Sequence, residues 1–335
     1  MMPGCKIGSV VFLFTLALLL SPAVRAEGPP TLDGLLSRST RLLVISPHPD
    51  DETLGVGGLI QRVIGLKGAV KVVFMTSGDG YPEGVEMEEH ISHPTAQDFR
   101  EYGVERQEEA VRVLETQGMK KKDIIFLGFP DGGLCSILMK YQSDAGPDYK
   151  SPFTLEDRPP PADVILPNTE YNAEDLERAI TQVLTDFRPT LIVTTHPRDQ
   201  HPDHHATYFY VKEALKALEK RDANRKPKPR PQLLTFLIHF GQWPLDGGGG
   251  TGSHLYPPQG FPEKDVQWIS FPLSAEEVDM KRRALLQYPS QMLIMGRYIL
   301  SFARGNELFT FDRPRAAKEL EELRPCLQEE RQLWR

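Results

Sequence analysis

Cysteine is scarce in this chain: Cys5, Cys135 and Cys326 are the only three in 335 residues, and no two of them have the spacing of a zinc ribbon. A disulfide-stapled scaffold and a metal centre built on paired thiolates are both excluded. Cys135 and Cys326 allow one disulfide and require none, so stability has to come from a packed core. Surplus positive charge is missing too. The formal charge is −7, whereas a surface that neutralises nucleic-acid phosphates needs clustered excess Lys and Arg. Nucleic acid is therefore excluded as a partner, and a neutral or cationic small molecule fits better. A bilayer-spanning stretch is also lacking. The apolar run Val10 to Leu20 follows Lys6 and leads into Ser21, Pro22 and Val24-Arg25-Ala26, which predicts a secretory signal over 1–26 with cleavage after Ala26. About 18 apolar residues are needed to cross a membrane, so an uncleaved anchor is the second choice. The expected product is exported, secreted or periplasmic, with no stable membrane span.

What is present is an ordinary globular balance, 40% hydrophobic and 25% charged, enough for one sizeable core and no default to disorder. Arg41 to Ser46 and Val70 to Thr76 are short apolar runs that read as buried strands. Between them Glu52 to Lys67 has helical spacing of Leu54, Leu59, Val63 and Leu66, and stops before Gly68. The alternation continues with a helix over 104–117, a strand over 123–127, a helix over 173–187, a strand over 190–195 and a helix over 203–220. This predicts an α/β fold: a Rossmann-like, mostly parallel sheet with helices on both faces and a site at the carboxyl ends of the strands. The expected organisation is a single domain over 27–335, interrupted by lid-like loops near 142–163 and 241–265. The basic, proline-rich stretch 221–231 reads as an exposed connection, and the charged stretch from Arg315 onward as a solvated last helix.

Two segments carry chemistry. Pro47-His48-Pro49-Asp50-Asp51-Glu52-Thr53 lies between the first strand and its helix, and His196-Pro197-Arg198-Asp199-Gln200-His201-Pro202-Asp203-His204-His205 holds the equivalent place later in the chain. A histidine and a carboxylate three positions apart on a turn can point at one ion, and flanking prolines limit the conformations of that turn. Pro202 suits the first turn of a helix, which puts His201 at its start and His204 one turn along on the same side. Five of the nine histidines fall in these two segments, each beside carboxylates, and this clustering favours a metal site over isolated capping or surface histidines.

At these residues the chain resembles the PIG-L (LmbE-like) N-deacetylases, zinc enzymes that remove acetyl groups from N-acetylglucosamine conjugates. Further matching segments are Thr76-Ser77-Gly78-Asp79-Gly80, Arg106-Gln107-Glu108-Glu109-Ala110, Phe126-Leu127-Gly128-Phe129-Pro130-Asp131-Gly132, and Lys281 with Tyr288-Pro289-Ser290-Gln291. The resemblance implies that His48, Asp51 and His204 bind one Zn2+, with Asp50 as general base and His201 as charged acid or oxyanion stabiliser. A three-ligand His, Asp, His site leaves a position open for water and lowers its pKa from about 15.7 toward roughly 7, although such a site accepts Fe2+ as well. Asp203 is the natural partner to keep His201 protonated, or else a helix N-terminal carboxylate that binds backbone N–H groups. Arg106 resembles a family position near the substrate, with a helix-surface ion pair to Glu105 or Glu109 as the alternative. Gln291 has similar standing. Arg198 has the reach to clamp a polar substrate group, and His196 and His205 read as supporting or surface residues. The mycothiol-pathway branch has a tyrosine where this chain has Asp199, so oxyanion help from that position is absent.

A nucleotide site resting on Gly55, Gly57 and Gly58 is disfavoured, because the third glycine is misplaced and the preceding carboxylates repel a pyrophosphate. Two rivals stay open: an exported, non-catalytic sugar-binding protein, and a zinc amidase of a non-sugar substrate. Trp243 and Tyr256 are candidates for stacking on a sugar ring or for a small local core.

Overall fold

The computed structural model describes residues 32–143, 146–223, 230–245, 253–262 and 266–315 and, of the first 31, only Met1. The signal expected over 1–26, the helix expected beyond Arg315, residues 224–229 of the basic connection and parts of the 241–265 loop lie outside these residues.

Among the described residues seven strands form one sheet in the order β3-β2-β1-β4-β5-β7-β6. Strands β1 (Arg41–Ser46), β2 (Ala69–Thr76), β3 (Ile124–Phe129), β4 (Leu191–Thr195) and β5 (Gln232–Phe236) are parallel to their neighbours. β7 (Asn306–Phe311) runs antiparallel to β5, and β6 (Trp268–Pro272) pairs outside it. The continuous apolar character of β1 has a plain reason: Leu42 and Val44 face one core and Leu43 and Ile45 the other, and all four are fully buried.

Helices cover both faces. α1 (Asp51–Gly65), α3 (Ala96–Thr116), α7 (Ala275–Leu285) and α8 (Pro289–Leu300) contribute to the first core, and α4 (Leu134–Lys140), α5 (Ala173–Phe187) and α6 (Pro202–Asp222) to the second. α2 (Pro82–Glu89) packs with α3 and α8. The glycines after the first motif serve packing: a Cβ on Gly55 would lie 2.1 Å from the Phe236 ring and one on Gly58 2.3 Å from Leu273. Their absence of side chains lets α1 press against β5 and the β6–α7 turn. α3 starts eight residues earlier than its apolar periodicity predicts, because a capping box between Thr95 and Asp98 secures a polar first turn.

β1 and β4 are adjacent, with Leu42 opposite Leu191 and Val44 opposite Val193. The connections leave β1 and β4 toward opposite edges of the sheet, so the point where the strand order reverses lies between them. Loops that follow these two strands flank the crevice where open α/β sheets bind ligands.

Candidate metal centre and cleft

Ser46 ends β1, and the chain turns through Pro47–Asp50 into α1. The turn is tied to β2 by Thr76, whose N–H and hydroxyl both donate to the Pro47 carbonyl at 3.0 and 3.1 Å. On the neighbouring strand the Thr195 hydroxyl donates to the His204 carbonyl at 2.6 Å, fixing the first turn of α6. Between the two turns three donor atoms converge. His48 Nδ1 is 3.1 Å from Asp51 Oδ2, His204 Nε2 is 3.0 Å from the same oxygen, and the two nitrogens are 3.2 Å apart. All three side chains are buried. An ion at the usual zinc–ligand distance of about 2.0–2.2 Å can touch all three atoms at once, and two neutral imidazoles with one carboxylate are a donor set zinc takes. Looser sets overlap this one: His201 joins His48 and His204, and His239 joins Asp51 and His204, with ligand atoms up to 4.8 Å apart. A third loose set is His48, Asp131 and Asp203, and the triangle of His48, Asp51 and His204 is the tightest arrangement that could hold an ion.

His48 and His204 each face a carboxylate on the nitrogen that points away from the triangle. His48 Nε2 meets Asp131 Oδ1 at 2.9 Å, and His204 Nδ1 faces Asp199 Oδ2 at 3.3 Å. Such partners orient the ring and raise its basicity. Burial works against charge on His48, but Asp131, then Asp203 and Asp51, raise its pKa well above the ordinary value. Burial is likewise overcome at His204, where Asp51 and Asp199 lift the pKa to about 9. Asp199 is itself held by the N–H groups of Ile238, His239 and His201 at 2.8, 3.1 and 3.0 Å. Neither Asp131 nor Asp199 is assigned a site role by sequence reasoning. The available signal was position, since Pro130-Asp131-Gly132 follows β3 and Asp199 sits inside the second motif.

Asp203 differs from expectation. Its carboxylate accepts from Gly132 N–H at 2.7 Å and Leu134 N–H at 3.0 Å and lies 3.4 Å from His48 Nε2. It therefore clamps the β3–α4 turn to α6. Its contact with His201 comes from the backbone, whose N–H donates to His201 Nδ1 at 3.2 Å. That bond caps α6 and makes Nδ1 an acceptor, so the ring proton sits on Nε2. Burial and the neighbouring imidazoles of His48, His204 and His239 push the His201 pKa well below its ordinary value. The site thus favours a neutral His201 that donates one hydrogen bond.

Asp50 takes φ 114° and ψ −34°, a backbone conformation rare for an L residue; such strain costs about 1–3 kcal/mol and collects at functional positions. Its N–H donates to Glu52 Oε2 at 2.9 Å, and its Oδ2 lies 3.6 Å from Arg106 Nη2. Burial first, then the charge of Asp51, push the Asp50 pKa up, while Arg106 pulls against them. Arg106 is no surface residue: it is 4% exposed and donates to the Pro49 carbonyl at 2.7 Å and the Gly78 carbonyl at 2.9 Å. Gly78 is required here, since a Cβ would fall 1.9 Å from the guanidinium. Glu109, the alternative partner for Arg106, instead accepts from the N–H and hydroxyl of Ser290 at the start of α8.

These groups line a cleft of about 440 Å³ that includes His48, Asp50, Asp51, Asp131, His201 and His239 on one side. Tyr81, Phe153, Met295 and Tyr298 supply apolar wall, and Arg106 and Gln291 also line the cleft. Gln291 donates to the Tyr102 hydroxyl at 2.8 Å. Phe153 comes from the first lid-like loop, where Ser151 and Thr154 are buried. Arg198 is not among the cleft-lining residues; its N–H donates to His196 Nδ1 at 3.0 Å. His196 is buried against Phe261 and Trp268, and His205 Nδ1 meets the Pro197 carbonyl at 2.8 Å. Trp243 is a core residue packed on Phe302, Tyr256 is exposed, and neither lines the cleft. Cys135, which does line it, is disulfide-bonded. His239, which follows β5, is a site residue that sequence reasoning misses. Its ring is 4.8 Å from His204 and 5.3 Å from His201.

Solved structures share the fold. The zinc-inhibited form of the teicoplanin deacetylase Orf2 aligns with TM-score 0.50 and 18% identity, covering 83% of this chain and 99% of that one. The 4-carboxy-2-hydroxymuconate hydratase GalB of Pseudomonas putida KT2440 aligns with TM-score 0.51 and 14% identity, covering 83% and 98%. At such identities the likeness is one of fold, and the two names show that this fold hosts different reactions. In sequence the chain is 28% identical over 185 residues to the probable N-acetyl-alpha-D-glucosaminyl L-malate deacetylase 2 of Bacillus subtilis (strain 168), covering 55% of this chain and 64% of that protein. It is also 28% identical over 194 residues to the 1D-myo-inositol 2-acetamido-2-deoxy-alpha-D-glucopyranoside deacetylase of Mycobacterium sp. (strain KMS), covering 56% and 53%. The matched segment is thus between half and two thirds of those relatives. A family profile described as PIG-L, GlcNAc-PI de-N-acetylase, matches residues 43–215, more than half of the chain including both metal-side turns, and the protein belongs to the PIG-L family.

Proposed function

We propose that the protein is an exported, zinc-dependent N-deacetylase that removes the acetyl group from an N-acetylglucosamine-containing glycan or glycoconjugate. The observation that carries this reading is the triangle of His48, Asp51 and His204 side-chain atoms, 3.0–3.2 Å apart, of which His48 and Asp51 line a cleft together with Asp50. A zinc ion held there supplies Lewis acidity toward the amide carbonyl and toward water. Asp50 accepts the proton that water loses as it adds to the acetyl carbon. His201, its Nδ1 occupied by the Asp203 N–H, donates from Nε2 to the carbonyl oxygen as negative charge builds there. When the carbon–nitrogen bond breaks, the proton on Asp50 passes to the leaving amine, which balances the reaction as acetate plus free amino sugar.

The cleft favours a neutral conjugate. Its charged side chains among the described residues are Asp50, Asp51, Glu83 and Asp131 against Arg106, and Arg106 is occupied by two backbone carbonyls. Tyr81 and Phe153 offer ring faces to a pyranose. The sugar common to the names of the two bacterial relatives, a 2-acetamido glucoside, supports this substrate class. The test is amine release from a panel of neutral and anionic N-acetylglucosamine conjugates, with metal content measured on the same sample before and after chelation. Chelation-sensitive release with about one zinc per chain supports the reading; bound metal without release from any glycan overturns it in favour of a different amide or of a sugar-binding role.

A further inference from the structure

Asp50, the proposed base, has a backbone conformation rare for an L residue, and it is held through Glu52 by a group distant in the chain. Glu52 is fully buried and accepts three hydrogen bonds. Oε2 takes the Asp50 N–H at 2.9 Å, and Oε1 takes the Thr53 hydroxyl and the Tyr288 hydroxyl, both at 2.5 Å. Tyr288 is also fully buried, comes from the residue that precedes α8, and sits 3.3 Å from the Thr53 hydroxyl. The start of α8 is fastened separately, by the Glu109 carboxylate on Ser290 N–H and Oγ at 2.9 and 2.6 Å. The same helix carries Gln291, Met295 and Tyr298 of the cleft wall. A line of hydrogen bonds therefore runs from Tyr288, ahead of the helix that carries Gln291 of the cleft wall, through Glu52 to the Asp50 amide.

We propose that Glu52 and Tyr288 are positioning residues that hold Asp50 in its left-handed conformation and so set the aim of its carboxylate. Neither touches the reacting atoms. Without the Tyr288 hydroxyl the Glu52 carboxylate loses one of its three hydrogen bonds and its only one from outside this turn, and Asp50 relaxes toward an ordinary backbone in which its side chain points elsewhere. This inference rests on the reading of Asp50 as the base.

The test uses the zinc-loaded chain and a double-mutant cycle. Tyr288→Phe is expected to lower kcat about 10- to 100-fold, with KM within about twofold and zinc content unchanged. In the Asp50→Asn background the same substitution is expected to change the residual rate less than about twofold, because the group it aims is already disabled. Amide exchange supplies a readout apart from activity: the Asp50 N–H is expected to exchange at least about tenfold faster in Tyr288→Phe. Should that variant fail to fold, Glu52→Gln takes its place, since an amide has one acceptor oxygen for three donors. A full multiplicative loss in the Asp50→Asn background, or an unchanged Asp50 amide, overturns the positioning role. An Asp50→Asn enzyme that works at the normal rate overturns the base reading instead, a separate outcome.

Discussion

The two turns that build the proposed metal centre do equivalent jobs by different means. The one after β4 is held by its own helix and by backbone N–H groups of the next strand's loop: Pro202 occupies the first turn of α6, His201 caps it in an ordinary extended conformation, and Asp199 accepts from the N–H groups of His201, Ile238 and His239. The turn after β1 contains a strained Asp50 and is held by groups from elsewhere, namely Arg106 from α3, Tyr288 ahead of α8 and Asp131 after β3. The difference follows from what each turn delivers. The second places a ligand and a hydrogen-bond donor one helical turn apart, a spacing any helix offers. On the proposed reading the first has to aim two adjacent carboxylates at different tasks, Asp51 at the ion and Asp50 at the reaction, and consecutive residues of a relaxed helix start do not provide that.

The comparison is most open to breakage at Asp51. Asp51→Ala removes the only carboxylate of the triangle and leaves two imidazoles, so zinc content is expected to fall below about one tenth per chain, with activity lost by roughly 10⁴-fold or more. Elemental analysis after gel filtration checks this, and retention of a full ion would move the centre toward His201 or His239. Asp50→Asn is expected to keep the ion and lose about 10²- to 10⁴-fold in kcat. A variant that loses zinc as well would mean that the two adjacent carboxylates share the metal and that the division of labour in the first turn is false. In the second turn, His201→Ala is expected to retain zinc and slow turnover by about 10²- to 10³-fold, the weight of one oxyanion donor. Zinc loss there would exchange the assignments of His201 and His204.

How much of this was legible without coordinates depends on the distance between partners. β1, α1, β2, β4 and α6 were readable because each is a local pattern, apolar run or helical period, closed by a proline or glycine. Both turns were readable because their chemistry is contiguous. His239 was not, because a lone histidine after the apolar run Leu233 to Ile238 reads as core. It joins the site only because β5 pairs with β4. Tyr288 was quoted for its motif, yet nothing local says that its hydroxyl reaches a carboxylate 236 positions earlier. The antiparallel edge escaped for a similar reason: β6 and β7 are separated by two helices, and neither strand carries a turn signal that pairs it with the other. Of the two readings of Asp203, the carboxylate that binds backbone N–H groups is the one its contacts match, but the groups are those of Gly132 and Leu134 after β3, and nothing local in the sequence points to them.

The smallest expected effect separates remote from local support most cleanly, because Asp131 and Asp199 do the same thing for different turns. Each carboxylate faces the outer nitrogen of a ligand histidine, and such partners are worth about 10- to 100-fold in metal affinity. Asp131 comes from a different strand and meets His48 at 2.9 Å, whereas Asp199 belongs to the same turn as His204 and lies at 3.3 Å. Asp131→Asn and Asp199→Asn are therefore both expected to weaken zinc within that range in a competitive chelator titration. They should diverge in rigidity. The Asp199 carboxylate also accepts three backbone N–H groups, one from its own turn and two from the segment after β5, so Asp199→Asn is expected to lower the melting temperature of the zinc-free protein more than Asp131→Asn does. An equal thermal cost for the two would show that the N–H groups on Asp199 fasten the second turn no better than the Asp131–His48 side-chain contact fastens the first, and the contrast between a turn tied through backbone N–H groups and one propped by side chains would no longer hold.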